Sequence, residues 1–122
     1  MKLLLDTHTL LWWDNDELPA AVVRRIQGAE RVFVSAATAW EIGIKRALGK
    51  LAGKGAVAAL LSDYGFTELP ISIAHAQALE RLPPHHRDPF DRMLIAQALA
   101  EDLVLVSADK VMARYGAPVV WD

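Results

Sequence analysis

Short apolar runs alternate along the chain with segments in which apolar residues recur every three or four positions, and each period predicts an element. KLLL (2–5) reads as a buried strand ending at Asp6, which can cap a helix beginning near Thr7. LPAAVVRRIQGA (18–29) reads as a helix, with Pro19 near its start and Gly28 near its end. RVFVS (31–35) is a strand, and Ser35 can cap the helix AATAWEIGIKRAL (36–48), closed by Gly49. GAVAALLSDYG (55–65) is a further helix. FTELPI (66–71) is a weak strand, because Pro70 confines it to an edge or an end. AHAQALERL (74–82) is a helix stopped by Pro83 and Pro84. Asp88 and Pro89 then open another helix, with Asp as N-cap and Pro in the first turn. LVLVS (103–107) is a strand, DKVMARYG (109–116) a short helix and APVVW (117–121) a last strand. Strand and helix in alternation predict an α/β fold of three layers, α/β/α, around a central, mainly parallel sheet.

Composition narrows this picture without redirecting it. A chain of 122 residues, 53% of them hydrophobic, is expected to form one domain (1–122) around a single core and is too apolar for disorder. There is no cysteine, which excludes disulfides, thiolate metal sites and a thiol nucleophile and suits a reducing cytoplasm. The first apolar run breaks at Asp6 after three leucines, too early for a secretory signal, and no stretch matches a membrane span. A net charge of −2 advertises no nucleic-acid binding, although a local basic patch is compatible with it.

Parallel sheets of this kind carry their sites beyond the carboxyl ends of the strands, near a topological switch point. Acids stand at or just past those ends: Asp6 after the first strand, Glu41 in the helix after the second, Asp109 after LVLVS. Asp91, in the first turn of the helix opened by Asp88, is the fourth. Each has a structural explanation. Asp6 and Asp109 can cap helices, and Glu41 can pair with Lys45 at i, i+4. Asp91 can reach back to the N-cap N–H in a capping box, and the helix dipole there favours its ionised form. Gathered on one rim, however, the four would repel, at about 4 kcal/mol for a pair roughly 4 Å apart in an effective dielectric near 20. Such a cluster must protonate or take up a cation. An all-oxygen set suits Mg²⁺ or Mn²⁺, and the chemistry to expect is phosphodiester hydrolysis.

Four segments in order carry a resemblance over essentially the whole chain: LLLDTHTLLWW, SAATAWEIGIKRALGKL, RDPFDRMLIAQA and LVLVSADKVMARYG followed by VVW. The chain resembles the PIN-domain family, specifically the VapC-like ribonuclease toxins of type II toxin–antitoxin modules. The resemblance implies a metal-dependent endoribonuclease with Asp6, Glu41, Asp91 and Asp109 as metal-binding and catalytic acids. Thr7, Ser35 and Ser107 match the hydroxyl residues that support those acids or a bound water. It also implies RNA as substrate, Mg²⁺ or Mn²⁺ as cofactor, a homodimer and a small antitoxin partner. Asp88 stays an N-cap in this assignment, and Asp91 becomes the ligand. The alternative is a PIN-like module that binds RNA or protein without cutting it. A phospho-receiver domain fits less well, since FTELPI ends without an acid and Ser107 is followed by Ala108 and Asp109, not Lys.

Other residues admit two readings each. Lys45, Arg46, Lys50 and Lys54 form the densest basic run, either a solvated helix end or a track of phosphate contacts leading into the acidic rim. Arg92 can serve phosphate or a neighbouring carboxylate. His85 and His86, in a proline-rich loop, are expected to be solvated, and His8 to contact substrate or pack without catalysing. Trp12 and Trp13 are expected in the core or a dimer interface. The helix at 55–65 exposes few charges, so part of it is expected to bury against a second copy or an antitoxin.

Overall fold

The computed structural model describes residues 1–53, 55–86 and 88–122. Its strands are β1 (Lys2–Leu5), β2 (Arg31–Ser35), β3 (Thr67–Leu69), β4 (Val104–Val106) and β5 (Val119–Val120). Its α-helices are α1 (Thr7–Asp14), α2 (Ala20–Gln27), α3 (Ala36–Ala47), α4 (Val57–Tyr64), α5 (Ile73–Ala78) and α6 (Pro89–Glu101). The strands form one sheet in the order β3-β2-β1-β4-β5, with every pairing parallel. The sheet is therefore wholly parallel, and the weak strand sits at an edge, where Pro70 removes no interior ladder bond.

The three leucines of β1 show why a near-continuous apolar run belongs in the middle of such a sheet. Leu4 faces one side, packed with Leu94, Ile95 and Ala98 of α6 and Leu105 of β4. Leu3 and Leu5 face the other, packed with Leu10 of α1, Val22 and Ile26 of α2 and Ile42 of α3. Two cores, one on each face, make the three layers. Leu4 is wholly buried at the centre of the first. Leu4→Ala is expected to lower the unfolding free energy by roughly 2–5 kcal/mol, read from urea denaturation. A loss below about 1 kcal/mol would contradict this packing.

The elements differ from the periodic reading mainly at their ends. The segment 74–82 gives a short α5 followed by a 3₁₀ turn over Leu79–Arg81. The segment 109–116 is a 3₁₀ helix, Lys110–Tyr115, closed by Gly116 at φ 81°. About two turns of tighter helix are what a short capped segment between two strands accommodates here. In α4, Val57, Leu60 and Leu61 turn onto the core and are half-buried there. The exposed apolar stripe lies instead on α3, at Trp40, Ile44 and the C-cap Leu48, spaced i, i+4, i+8. Among the described residues, no helix is long and apolar enough to cross a membrane.

The chain winds from β1 through β2 to β3 on one side, then crosses back to β4 and β5 on the other. The switch point lies between β1 and β4, and there Asp6 N donates to Val106 O at 3.2 Å. The first and fourth strands thus deliver Asp6 and Ser107 side by side.

Candidate active site

Asp6 leaves β1 in extended conformation and caps α1, its Oδ1 accepting from Thr9 N at 2.8 Å and from the Thr9 hydroxyl. Capping and site-building coincide here, because the residue that ends the strand must also satisfy the helix's first N–H groups. Thr7, the next residue, reaches across to α3: its Oγ1 donates to Glu41 Oε1 at 2.6 Å and lies 3.1 Å from Thr38 Oγ1. The other oxygen of Glu41 accepts from Lys45 Nζ at 2.6 Å. Asp6, Thr7, Thr38 and Glu41 are all buried, so these bonds are made away from bulk water. The Lys45 ammonium is held above its ordinary value, first by its bond to Glu41 and then by the charges of Glu41, Asp88 and Asp91, against the opposing effect of burial.

Asp88 caps α6 as expected, Oδ1 accepting from Phe90 N at 2.8 Å and Asp91 N at 3.1 Å. The capping box does not form. The N-cap N–H of Asp88 donates to His86 Nδ1 at 3.1 Å, and the Asp91 side chain goes elsewhere. His86 Nε2 lies 3.1 Å from Asp91 Oδ2 and 2.9 Å from Asp109 Oδ2. One donor atom each from His86, Asp91 and Asp109 falls within 4.8 Å of the others. Asp109 also caps the 3₁₀ helix through Val111 N at 3.0 Å, while its own N–H donates to Ser107 Oγ at 3.1 Å.

The Asp91 carboxyl is pushed up to about 7, first by burial, then by the negative charge of Asp88, with Asp6 and Glu41 adding to it and His86 opposing. This corrects the expectation of a dipole-stabilised anion. A helix N-terminus gives an anion about 0.3–1 kcal/mol at an exposed position. Burial beside other acids outweighs it. The same causes put Asp6, Glu41, Asp88 and Asp91 within electrostatic reach of one another, and His86 joins Asp109 to Asp91.

The remaining candidates are placed less uniformly. Ser35 is buried, caps α3 through Ala37 N at 3.0 Å and donates to Gln97 Oε1 of α6 at 2.5 Å, tying the helix of Glu41 to the helix of Asp91. Lys45 is committed to Glu41, and Arg46 Nη1 donates to Gly55 O at 2.6 Å. Lys50 is exposed just beyond the helix, after Gly49 at φ 71°. Lys54, and Arg87 of the RDPFD segment, lie outside the described residues. Arg92 turns from the acids: Nη1 donates to Pro83 O and Tyr115 Oη, Nη2 to Leu79 O and Leu82 O. It pins the segment before α6, and few of its donors remain for phosphate. Trp13 packs against Tyr64 and Phe66, and Trp12 stands between His8 and Trp121.

His86 is the residue that the sequence reading set aside. A signal existed: it stands two residues before a helix cap and five before the acid it contacts. That spacing folds back only if the loop reverses at the prolines, which no periodicity reports. Thr38 and Gln97 gave no signal beyond being polar residues on apolar helix faces.

A family model for the PIN domain matches residues 3–118. The chain belongs to the PIN-domain family. Among curated proteins, none matches the sequence significantly. Solved structures similar to this PIN domain include VapBC2 from Rickettsia felis bound to a DNA fragment from its promoter, with TM-score 0.76 and 16% identity over 100% of both chains. DNA-bound VapBC from Salmonella typhimurium gives TM-score 0.73 and 18% identity over 98% of this chain and 97% of that one. VapBC-1 from nontypeable Haemophilus influenzae gives 0.70 and 18%, over 100% and 97%. At these identities the likeness is one of fold, and it extends over nearly the whole length of each chain.

Proposed function

We propose that this PIN domain is a divalent-cation-dependent endoribonuclease, acting in the cytoplasm as the toxin of a type II toxin–antitoxin module. The observation that carries the nuclease reading is Asp91: a half-buried carboxyl pushed up to about 7 by burial and surrounding acids, at the switch point of a parallel sheet. Burial first, and then the surrounding acids, make the ionised form of Asp91 costly, a cost that a bound cation would offset. Asp6, Glu41, Asp91 and Asp109 would hold Mg²⁺ or Mn²⁺. When bound, the cation supplies Lewis-acid activation of water and offsets charge on the scissile phosphate.

The chain's own residues supply the rest. Thr7 fixes one oxygen of Glu41 by a 2.6 Å bond, so the carboxylate keeps one orientation without spending it on solvent. Thr9 does the same for Asp6, and Ser107, through the Asp109 N–H, sets the turn that aims Asp109 back toward α6. Exposed Lys50, and Lys45 where substrate competes for its bond to Glu41, are the cations proposed to receive phosphates flanking the cleaved bond. Attack by water in line with the leaving oxygen leaves a 5′-phosphate and a free 3′-hydroxyl.

The partner readings rest on two things. The structural neighbours are VapBC assemblies, and α3 carries the exposed stripe Trp40, Ile44 and Leu48. A homodimer and an antitoxin are the partners proposed, since contiguous apolar surface of this kind usually has an occupant.

End-labelled RNA incubated with the purified, partner-free protein tests the nuclease reading. Discrete cuts in Mg²⁺ or Mn²⁺ that vanish in EDTA, with 5′-phosphate and 3′-hydroxyl ends, are the expected result. Cyclic 2′,3′-phosphate ends would refute the mechanism. Cation binding without any cleavage would favour a PIN-like binding module.

A further inference from the structure

We propose that His86 serves the acidic site as a hydrogen-bond donor through Nε2 that sets the separation of Asp91 and Asp109, and not as a ligand or a proton donor to substrate. The inference rests on the proposed cation site, and its content is the role of one imidazole.

The ring is fixed from both sides. On one, Asp88 N–H donates to Nδ1 at 3.1 Å, so Nδ1 presents a lone pair and the ring proton resides on Nε2. On the other, Nε2 lies 2.9 Å from Asp109 Oδ2 and 3.1 Å from Asp91 Oδ2, so the single N–H bridges two carboxylates from different elements. Ligation through Nε2 would require its proton to move to Nδ1, where it would meet the Asp88 N–H head to head. Metal-bound histidines ordinarily donate from their second nitrogen; here the second nitrogen accepts.

The segment carrying the ring is clamped as a second, separate contribution. His86 N donates to Tyr115 Oη at 2.6 Å, and that hydroxyl also takes a bond from Arg92 Nη1. Arg92 in turn binds the carbonyls of Leu79, Leu82 and Pro83. His85 packs edge-on to Tyr115 with ring centroids 5.2 Å apart. The loop before α6 thus delivers the N–H with little freedom, as a positioning group for two would-be ligands requires.

Glutamine can place an amide N–H near the position of Nε2; alanine cannot. In the full-length protein, Mn²⁺ titration followed by electron paramagnetic resonance should show His86→Ala binding about 10–100-fold more weakly than wild type. His86→Gln should recover most of that loss. Nitrogen-15 NMR of the wild-type ring should show a bare Nδ1 and a protonated Nε2, both before and after Mg²⁺ is added. His86→Gln as weak as His86→Ala, or a proton found on Nδ1, would overturn the assignment and make the imidazole a ligand. Should His86→Ala fail to fold, the glutamine variant and the ring spectrum still decide. Wild type that binds no Mn²⁺ would sink the cation site itself, while the tautomer in cation-free protein would still decide the donor role.

Discussion

Asp91→Asn should give a protein that no longer cuts RNA and is nevertheless harder to unfold at pH 8 in EDTA. The loss of cleavage follows from removing one of the four acids proposed to hold the cation. A bound divalent ion contributes several kcal/mol of charge stabilisation, and about 4 kcal/mol corresponds to roughly a thousandfold in rate. The gain in stability follows from the sign of the Asp91 shift. Its proton is held more tightly in the folded chain, where the group sits at about 7, than in the unfolded one, where a carboxyl sits near ~3.9. Folding stability from this group is therefore fully present below the unfolded value and is lost as pH rises toward about 7. Above that the folded protein bears a buried anion that asparagine does not carry.

With the Asp91 side chain 22% exposed, solvent screens part of the cost, and a stabilisation of about 1–2 kcal/mol at pH 8 is the reasonable scale. It should shrink toward zero near pH 4. Urea denaturation of both proteins at several pH values, beside a cleavage assay, reads the two effects. Equal stability at pH 8 would mean that Asp91 is not perturbed in the folded chain. Equal cleavage would remove it from the site. A residue that costs stability and is kept for activity is the pattern that functional sites produce.

How far the sequence announced this site varies with the kind of signal. Strands β1, β2 and β4 were legible because apolar runs bounded by Asp6, Ser35 and Ser107 leave little alternative to buried parallel strands. Their order in the sheet was not, since an apolar run does not say which strand it pairs with; the expectation that acids past the strand ends share a rim came from the general strand-end rule. Asp88 as N-cap was legible because Asp-Pro is a local code. The protonation of Asp91 was not, because it depends on burial and on Asp6 and Glu41, neighbours distant in sequence. The contacts of His86 were only faintly signalled, for a related reason. Its role depends on Asp109, 23 residues away, and on a loop clamp from Arg92 and Tyr115. Local pattern reports who is near in the chain; charge regulation depends on who is near in space. Arg92 shows the same limit of local pattern. Beside Asp91 it reads as serving either phosphate or a carboxylate, while four of its hydrogen bonds go to Tyr115 Oη and the carbonyls of Leu79, Leu82 and Pro83.

The same proton makes cation affinity depend on pH. A cation that needs Asp91 ionised must displace its proton, so apparent affinity falls tenfold for each pH unit below about 7 and levels off above it. Between pH 5 and pH 8 the gain in Mn²⁺ affinity should be about 100-fold, with one proton released per ion at pH 5 and almost none at pH 8. Calorimetry in two buffers of different ionisation enthalpy counts those protons directly. In Asp91→Asn, binding should be weaker but should lose this dependence, since asparagine has no proton to give up. A wild-type affinity that stays constant from pH 5 to 8 would show that the carboxyl is already ionised and that burial does not govern it. A dependence retained by Asp91→Asn would assign the proton to another group in the cluster. The expected pair of results, steep in wild type and flat in the variant, would link the buried carboxyl to the cation through one proton and identify Asp91 as the acid whose ionisation the site waits for.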